Sequence, residues 1–177
     1  IGKLFLSTPA GENILLERSD SGWVLNKKYK ALQSTIDIVM EVLHKQEAKY
    51  PAPEAAHNNI IKSLAGDGVK VEVYNRAGDK IKVFYVGGEA HESSGSYMLL
   101  EGAPRAYLVH IPGITGMLKP SYTTSLDDWR DRTVFNISAS DIASLTLTYP
   151  DEPLNSFTIH HNDKITVDAD NGVKGTQ

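Results

Sequence analysis

Apolar and polar positions alternate at two different spacings along the chain, and the switches between them mark its elements. The opening residues carry short apolar runs broken by Pro9-Ala-Gly11 and by Ser19-Asp-Ser-Gly22, the punctuation of a hairpin or meander. They predict three strands, over residues 2–8, 12–18 and 22–26. From residue 31 to 49 the spacing changes: Leu32, Ile36, Val39 and Leu43 recur at helical intervals, with Gln33, Asp37, Glu41 and Lys45 on other faces. Pro51 and Pro53 break this amphipathic helix, and Glu54 opens a second one whose stripe, Ala56, Ile60 and Leu64, runs to a stop at Gly66.

Strict alternation then returns. Val69, Val71 and Val73 interleave with Lys70, Glu72 and Tyr74, and Ala77-Gly-Asp79 turns the chain into a partner strand over residues 80–86. A polar loop from Gly87 to Ser96 precedes strands at 97–100 and 106–111 around the turn Glu101-Gly-Ala-Pro104. Residues 117–124 form a connection, and 125–131 a short turn or helix with Ser125 placed to cap it. The pattern predicts an α+β fold, a two-helix layer packed on an antiparallel sheet.

The last stretch echoes the first. Ile1-Gly-Lys-Leu4-Phe-Leu6 and Ile142-Ala-Ser-Leu145-Thr-Leu147 share one I-x-x-L-x-L spacing, and each leads into a turn with proline and acidic residues. An apolar strand follows, Ile14-Leu-Leu16 or Phe157-Thr-Ile159, then a final pair closing on Val24 or Val167. A repeated spacing of this kind marks a supersecondary unit used twice. It predicts one α+β unit over residues 1–140 and the opening strands of a second, truncated repeat-like unit over 141–177, as in a piece of a longer protein.

Composition narrows the partners. A formal net charge of −4 with no basic run beyond Lys27-Lys28 and Lys30 argues against a nucleic-acid or anionic-lipid footprint. The chain has no cysteine, which removes disulfides, thiolate metal sites and thiol nucleophiles together.

Candidate chemistry is sparse. His160 and His161 are consecutive in a predicted strand and point to opposite faces, and neither His44 nor His57 has an i, i+4 ligand partner, so no metal or other cofactor is expected. His110, at a strand end in Tyr107-Leu-Val-His-Ile-Pro112, is the best single catalytic candidate, and Asp127, Asp128 and Asp131 are the carboxylates to pair with it in a hydrolase. The bland alternatives are a hydrogen-bonded structural histidine, an Asp128–Arg132 pair and a Trp129 that buries and anchors its segment. Glu89, His91 and Glu92 cluster in a loop, where solvation alone accounts for them. Asp168-Ala-Asp170-Asn171-Gly172 has a calcium-loop flavour, but its glycine is one place early and no bidentate Glu follows. Tyr74, Tyr85, Tyr97 and Tyr107 with Trp129 offer an aromatic platform for a glycan, against the plainer role of stabilising a sheet by cross-strand pairing.

A longer series of short motifs carries a family resemblance. Lys3-Leu-Phe-Leu, Gly22-Trp23, Asn26-x-x-Tyr29, Lys49-Tyr-Pro51, Val71-Glu-Val-Tyr74, Tyr85-Val-Gly-Gly88, Val109-His-Ile-Pro-Gly113 and Asp128-Trp-Arg130 together resemble the domain-of-unknown-function family 4340. The resemblance implies an extracytoplasmic region behind one N-terminal membrane anchor absent from these residues, in envelope proteins found in many Bacteroidetes. It also implies genes beside those of a gliding-motility-type ABC transporter. It brings no catalytic residues to carry over. The expectation is a non-enzymatic envelope module on the periplasmic side of the inner membrane, with a protein partner such as an ABC transporter component. His110 and the aromatic residues above are its candidate binding residues.

Overall fold

The computed structural model describes residues 1–90, 94–161, 164–169 and 174–176, the last three by backbone. His91 and Glu92 of the polar loop, and Asp170 to Gly172 of the calcium-like stretch, lie outside the described residues. The chain divides into two compact units, Ile1–Arg132 and Thr133–Gln177, a boundary earlier than the one expected after residue 140.

The first unit is built on a nine-stranded antiparallel sheet. Its strands are β1 (Lys3–Ser7), β2 (Asn13–Ser19), β3 (Gly22–Leu25), β4 (Tyr29–Lys30), β5 (Glu47–Pro51), β6 (Val69–Tyr74), β7 (Lys80–Glu89), β8 (Ser96–Leu100) and β9 (Tyr107–His110). They lie in the order β4-β3-β2-β1-β6-β7-β8-β9-β5. Alternation explains the register: Leu4 pairs with Leu16 on one side and Val73 on the other, and Leu6 with Ile14 and Val71, so one face becomes continuously aliphatic. The tight turn between β3 and β4 places Asn26 and Lys27 at positive φ, and the Asn26 side-chain oxygen accepts the Leu15 N–H at 2.8 Å.

Helix α1 (Gln33–Lys45) presents Ile36, Val39 and Val42 to that aliphatic face, in one buried cluster with Leu4, Leu6, Leu16 and Leu25. It ends earlier than its periodicity predicts, because residues 47–51 leave the helix and pair with β9 as an edge strand. Helix α2 (His57–Asp67) lies against the other face, where Ile60 and Leu64 pack with Tyr85, Tyr97 and Leu99. The α+β class therefore holds, but the two helices occupy opposite faces and do not form one layer. The reason is β7, which is apolar on both sides, with Phe84 and Val86 facing the α1 cluster and Val83 and Tyr85 facing away.

A short helix α3 (Leu126–Trp129) closes the unit. Ser125 stands at its N-cap position without a side-chain capping bond, and the Thr123 hydroxyl takes the Ser125 N–H instead, at 3.1 Å. The segment straps β4 to the start of α1: Leu32 N–H donates to the Trp129 carbonyl at 2.7 Å and Asp131 N–H to that of Lys30 at 2.9 Å.

The second unit is a four-stranded antiparallel meander, β10 (Ser144–Leu147), β11 (Phe157–His161), β12 (Ile165–Ala169) and β13 (Lys174–Thr176), in that order. Its pairings repeat those of the first meander. Leu145↔Ile159↔Val167 reproduces Leu4↔Leu16↔Leu25, and Leu147↔Phe157 reproduces Leu6↔Ile14. Even the flanking bond recurs, from Arg18 N–H to the Gly2 carbonyl and from His161 N–H to that of Ala143. Val167 thus matches Leu25, not Val24 as the sequence spacing suggests.

Candidate functional site

Five aromatic residues on one open face is the requirement for a glycan platform, and the fold separates them. Trp129 is fully buried, its ring N–H donating to the Thr123 carbonyl at 2.8 Å. Tyr85 and Tyr97 pack around α2, whereas Tyr107 shares the opposite face with Met98. Tyr74 sits on a polar patch. Its hydroxyl donates to Glu72, and Lys3 lies over its ring at 3.9 Å. The shared platform is therefore corrected: these rings lie in four different places, three on the sheet and one in α3.

The Glu72 patch is the most strongly perturbed carboxylate environment. Burial by itself raises the pKa of Glu72, but hydrogen bonds from Lys70 and Tyr74 and the charges of Lys70 and Lys80 outweigh it and leave it at about 2. Glu72 is thus ionised near neutral pH, and the bond it accepts raises the pKa of Tyr74. Glu72 is held by ion pairs to Lys70 and Lys80 and by the Tyr74 hydroxyl, the arrangement of a structural cluster.

His110 and the aspartates go to different places. His110 lies on β9 beside the β5 edge, its Nε2 3.7 Å from Glu47. Asp131 lies at the β4 edge, 3.0 Å from Lys30 Nζ. Asp128 accepts the Thr123 hydroxyl at 2.8 Å, in place of the pairing with Arg132 that the spacing suggests, and Asp127 is exposed in the first turn of α3. Histidine and Asp131 thus stand by opposite edges of a nine-stranded sheet, which does not assemble them as an acid–base pair. Among the described residues no group of three or more His, Asp or Glu is placed to hold a metal ion.

Among the concavities of the first unit two differ sharply in character. The larger, about 570 Å³, is a polar cleft at the β1–β2 end lined by Lys3, Glu17, Arg18, Asp20 and Arg76, groups that water already solvates well. The second, about 320 Å³, is an apolar groove over β7, β8, β9 and β5. Phe84, Met98 and Val109 form its buried floor; Leu100 and Tyr107, 48% and 39% exposed, form its walls. Glu47 and Lys82 stand in its lining as opposite charges. Apolar surface held open on a rigid sheet and flanked by charge is the usual anatomy of a protein-binding patch. Tyr107 was legible as a candidate from sequence; Leu100 and Met98 were missed. The signal was their shared parity, which becomes visible only once the β8–β9 register is known.

The fold and this groove define an α+β module with a duplicated meander and an open apolar groove. The chain belongs to the family described as Domain of unknown function (DUF4340), whose model matches residues 23–176. That match spans both units. Comparison with curated proteins and with solved structures finds no match.

Proposed function

We propose that this chain is a non-catalytic interaction module of the bacterial cell envelope, working on the periplasmic side of the inner membrane and docking a component of a gliding-motility-type ABC transporter. The observation that supports it is the groove walled by Leu100 and Tyr107. Burying a half-exposed leucine contributes about 1 kcal/mol by area, and a tyrosine at the rim of a preformed apolar groove is a typical anchor of protein interfaces. The groove is carried by strands hydrogen-bonded to their neighbours, so little ordering is lost on docking. No helix among the described residues is long and apolar enough to cross a membrane, so attachment to the bilayer is assigned to the anchor that the family resemblance implies.

The test is co-purification of the full-length anchored parent from its native membranes, wild type beside Leu100→Asp. Transporter subunits retained by the wild type and lost from the variant are the expected result. Equal recovery from both, or from neither, overturns the proposal.

A further inference from the structure

Within the second unit, no helix among the described residues packs on its apolar sheet face. Leu145, Leu147, Phe157, Ile159, Ile165 and Val167 fall on one side of the β10–β12 ladder, with His161 at its margin beside Ile165, and Thr146, Thr158, His160, Thr166 and Asp168 fall on the other. Leu145 and Leu147 are 54% and 42% exposed, while Leu4 and Leu6, in the same pairing positions of the first meander, are 0% exposed; Ile165 is 47% exposed where its counterpart Trp23 is 7%. Strand for strand and pair for pair the two meanders agree, yet only the first has its aliphatic face filled. What fills it is α1, which enters directly after β4 and inserts Ile36, Val39 and Val42.

We infer that the open face of the second unit is a docking surface for an amphipathic helix equivalent to α1, the next element of the same repeat, carried by the same polypeptide and entering after β13 as α1 enters after β4. The repeat is a β-meander that cannot bury its apolar side alone, and in the first unit the interface that completes it is already seen. The required helix presents aliphatic side chains at i, i+3 and i+6 and polar residues elsewhere, as α1 does with Asp37, Glu41 and Lys45. A second copy of the chain is the competing occupant, since two open apolar sheet faces can stack on each other.

Hydrogen exchange and binding of an apolar dye distinguish these. The 177-residue chain is expected to bind the dye, to lose that binding with Leu145→Asp, and to remain monomeric. The full-length parent is expected not to bind it at this face, with exchange of the β11 amides slowed by about tenfold or more relative to the 177-residue chain. A parent whose dye binding equals that of the shorter chain and is equally sensitive to Leu145→Asp overturns the inference. So does a parent that is dimeric and is rendered monomeric by Leu145→Asp, because the face is then covered by a second copy. A variant of the 177-residue chain extended by a copy of residues 31–46 keeps the test independent of the parent's folding: loss of dye binding supports a helix at this face, and retention opposes it.

Discussion

Replacing Trp129 separates an anchoring role from a ligand-binding one. The indole is fully buried beside α1 and its N–H donates to the Thr123 carbonyl, while the Trp129 backbone carbonyl accepts the Leu32 N–H at the start of α1. In Trp129→Ala the indole volume is lost from a packed cluster, which costs about 3–5 kcal/mol. In Trp129→Phe most of the volume stays, but the Thr123 carbonyl loses its donor, a cost of about 1–3 kcal/mol. For a unit of this size each kcal/mol shifts Tm by about 3–5 °C, so the alanine variant should melt about 10–20 °C lower and the phenylalanine variant about half as far. Urea unfolding followed by fluorescence of the remaining tryptophan, Trp23, measures both in kcal/mol. A Trp129→Ala cost below about 1 kcal/mol would refute the strap, because a surface aromatic is removed at that cost.

Three further outcomes follow from the same contacts. Glu72→Gln should destabilise the chain by about 1–2 kcal/mol near neutral pH, once screening at the exposed ends of Lys70 and Lys80 is allowed for. Because the folded pKa of Glu72 is depressed to about 2, the wild-type advantage is complete above the unfolded value near 4.5 and disappears as pH falls towards 2; denaturation at pH 6 and pH 2.5 that gives the same difference contradicts the assignment. Gly95→Ala should cost more than about 2 kcal/mol, since Gly95 has φ +140° and an added Cβ would lie 2.2 Å from the Val109 carbonyl oxygen, so a variant with an unchanged urea midpoint rules out that close approach. Leu100→Asp should leave Tm within about 2 °C of wild type while abolishing transporter co-purification, because the side chain is half exposed at a strand end; a large loss of Tm would make it a core residue.

The parts of the fold with a clean period were readable from sequence. The valines of β6 alternate with polar residues, and the Ile36–Val39 stripe of α1 recurs at helical spacing, so both elements and their buried faces follow directly. Strand β5 did not show itself, because all five of its residues are exposed and it is held by backbone pairing to β9. Nor did the placement of the helices on opposite faces, which depends on β7 being apolar on both sides, a pattern that a period-2 reading cannot orient. The groove required knowing that Leu100, Met98 and Tyr107 share a face, which is a property of three strands in register and of no single one. Tyr122 sits in a segment that reads as a plain connection, yet it is fully buried with its hydroxyl on Gln46 at 2.7 Å and its ring edge-on to Phe84. Only tertiary packing decides such a position. The duplicated meander, by contrast, was legible from the shared spacing with the turn and strand that follow it, and the pairing register matches Val167 to Leu25 in place of Val24.

The central claim is that the groove over β8 and β9 is where a transporter component docks. A photo-crosslinking amino acid placed at position 100 in the anchored full-length protein, in intact cells, tests it most directly, with position 38 on the exposed side of α1 as the control. The account predicts a discrete crosslinked product containing a transporter subunit from position 100 and none from position 38. Equal products from both positions, or a subunit captured only from position 38, would contradict it.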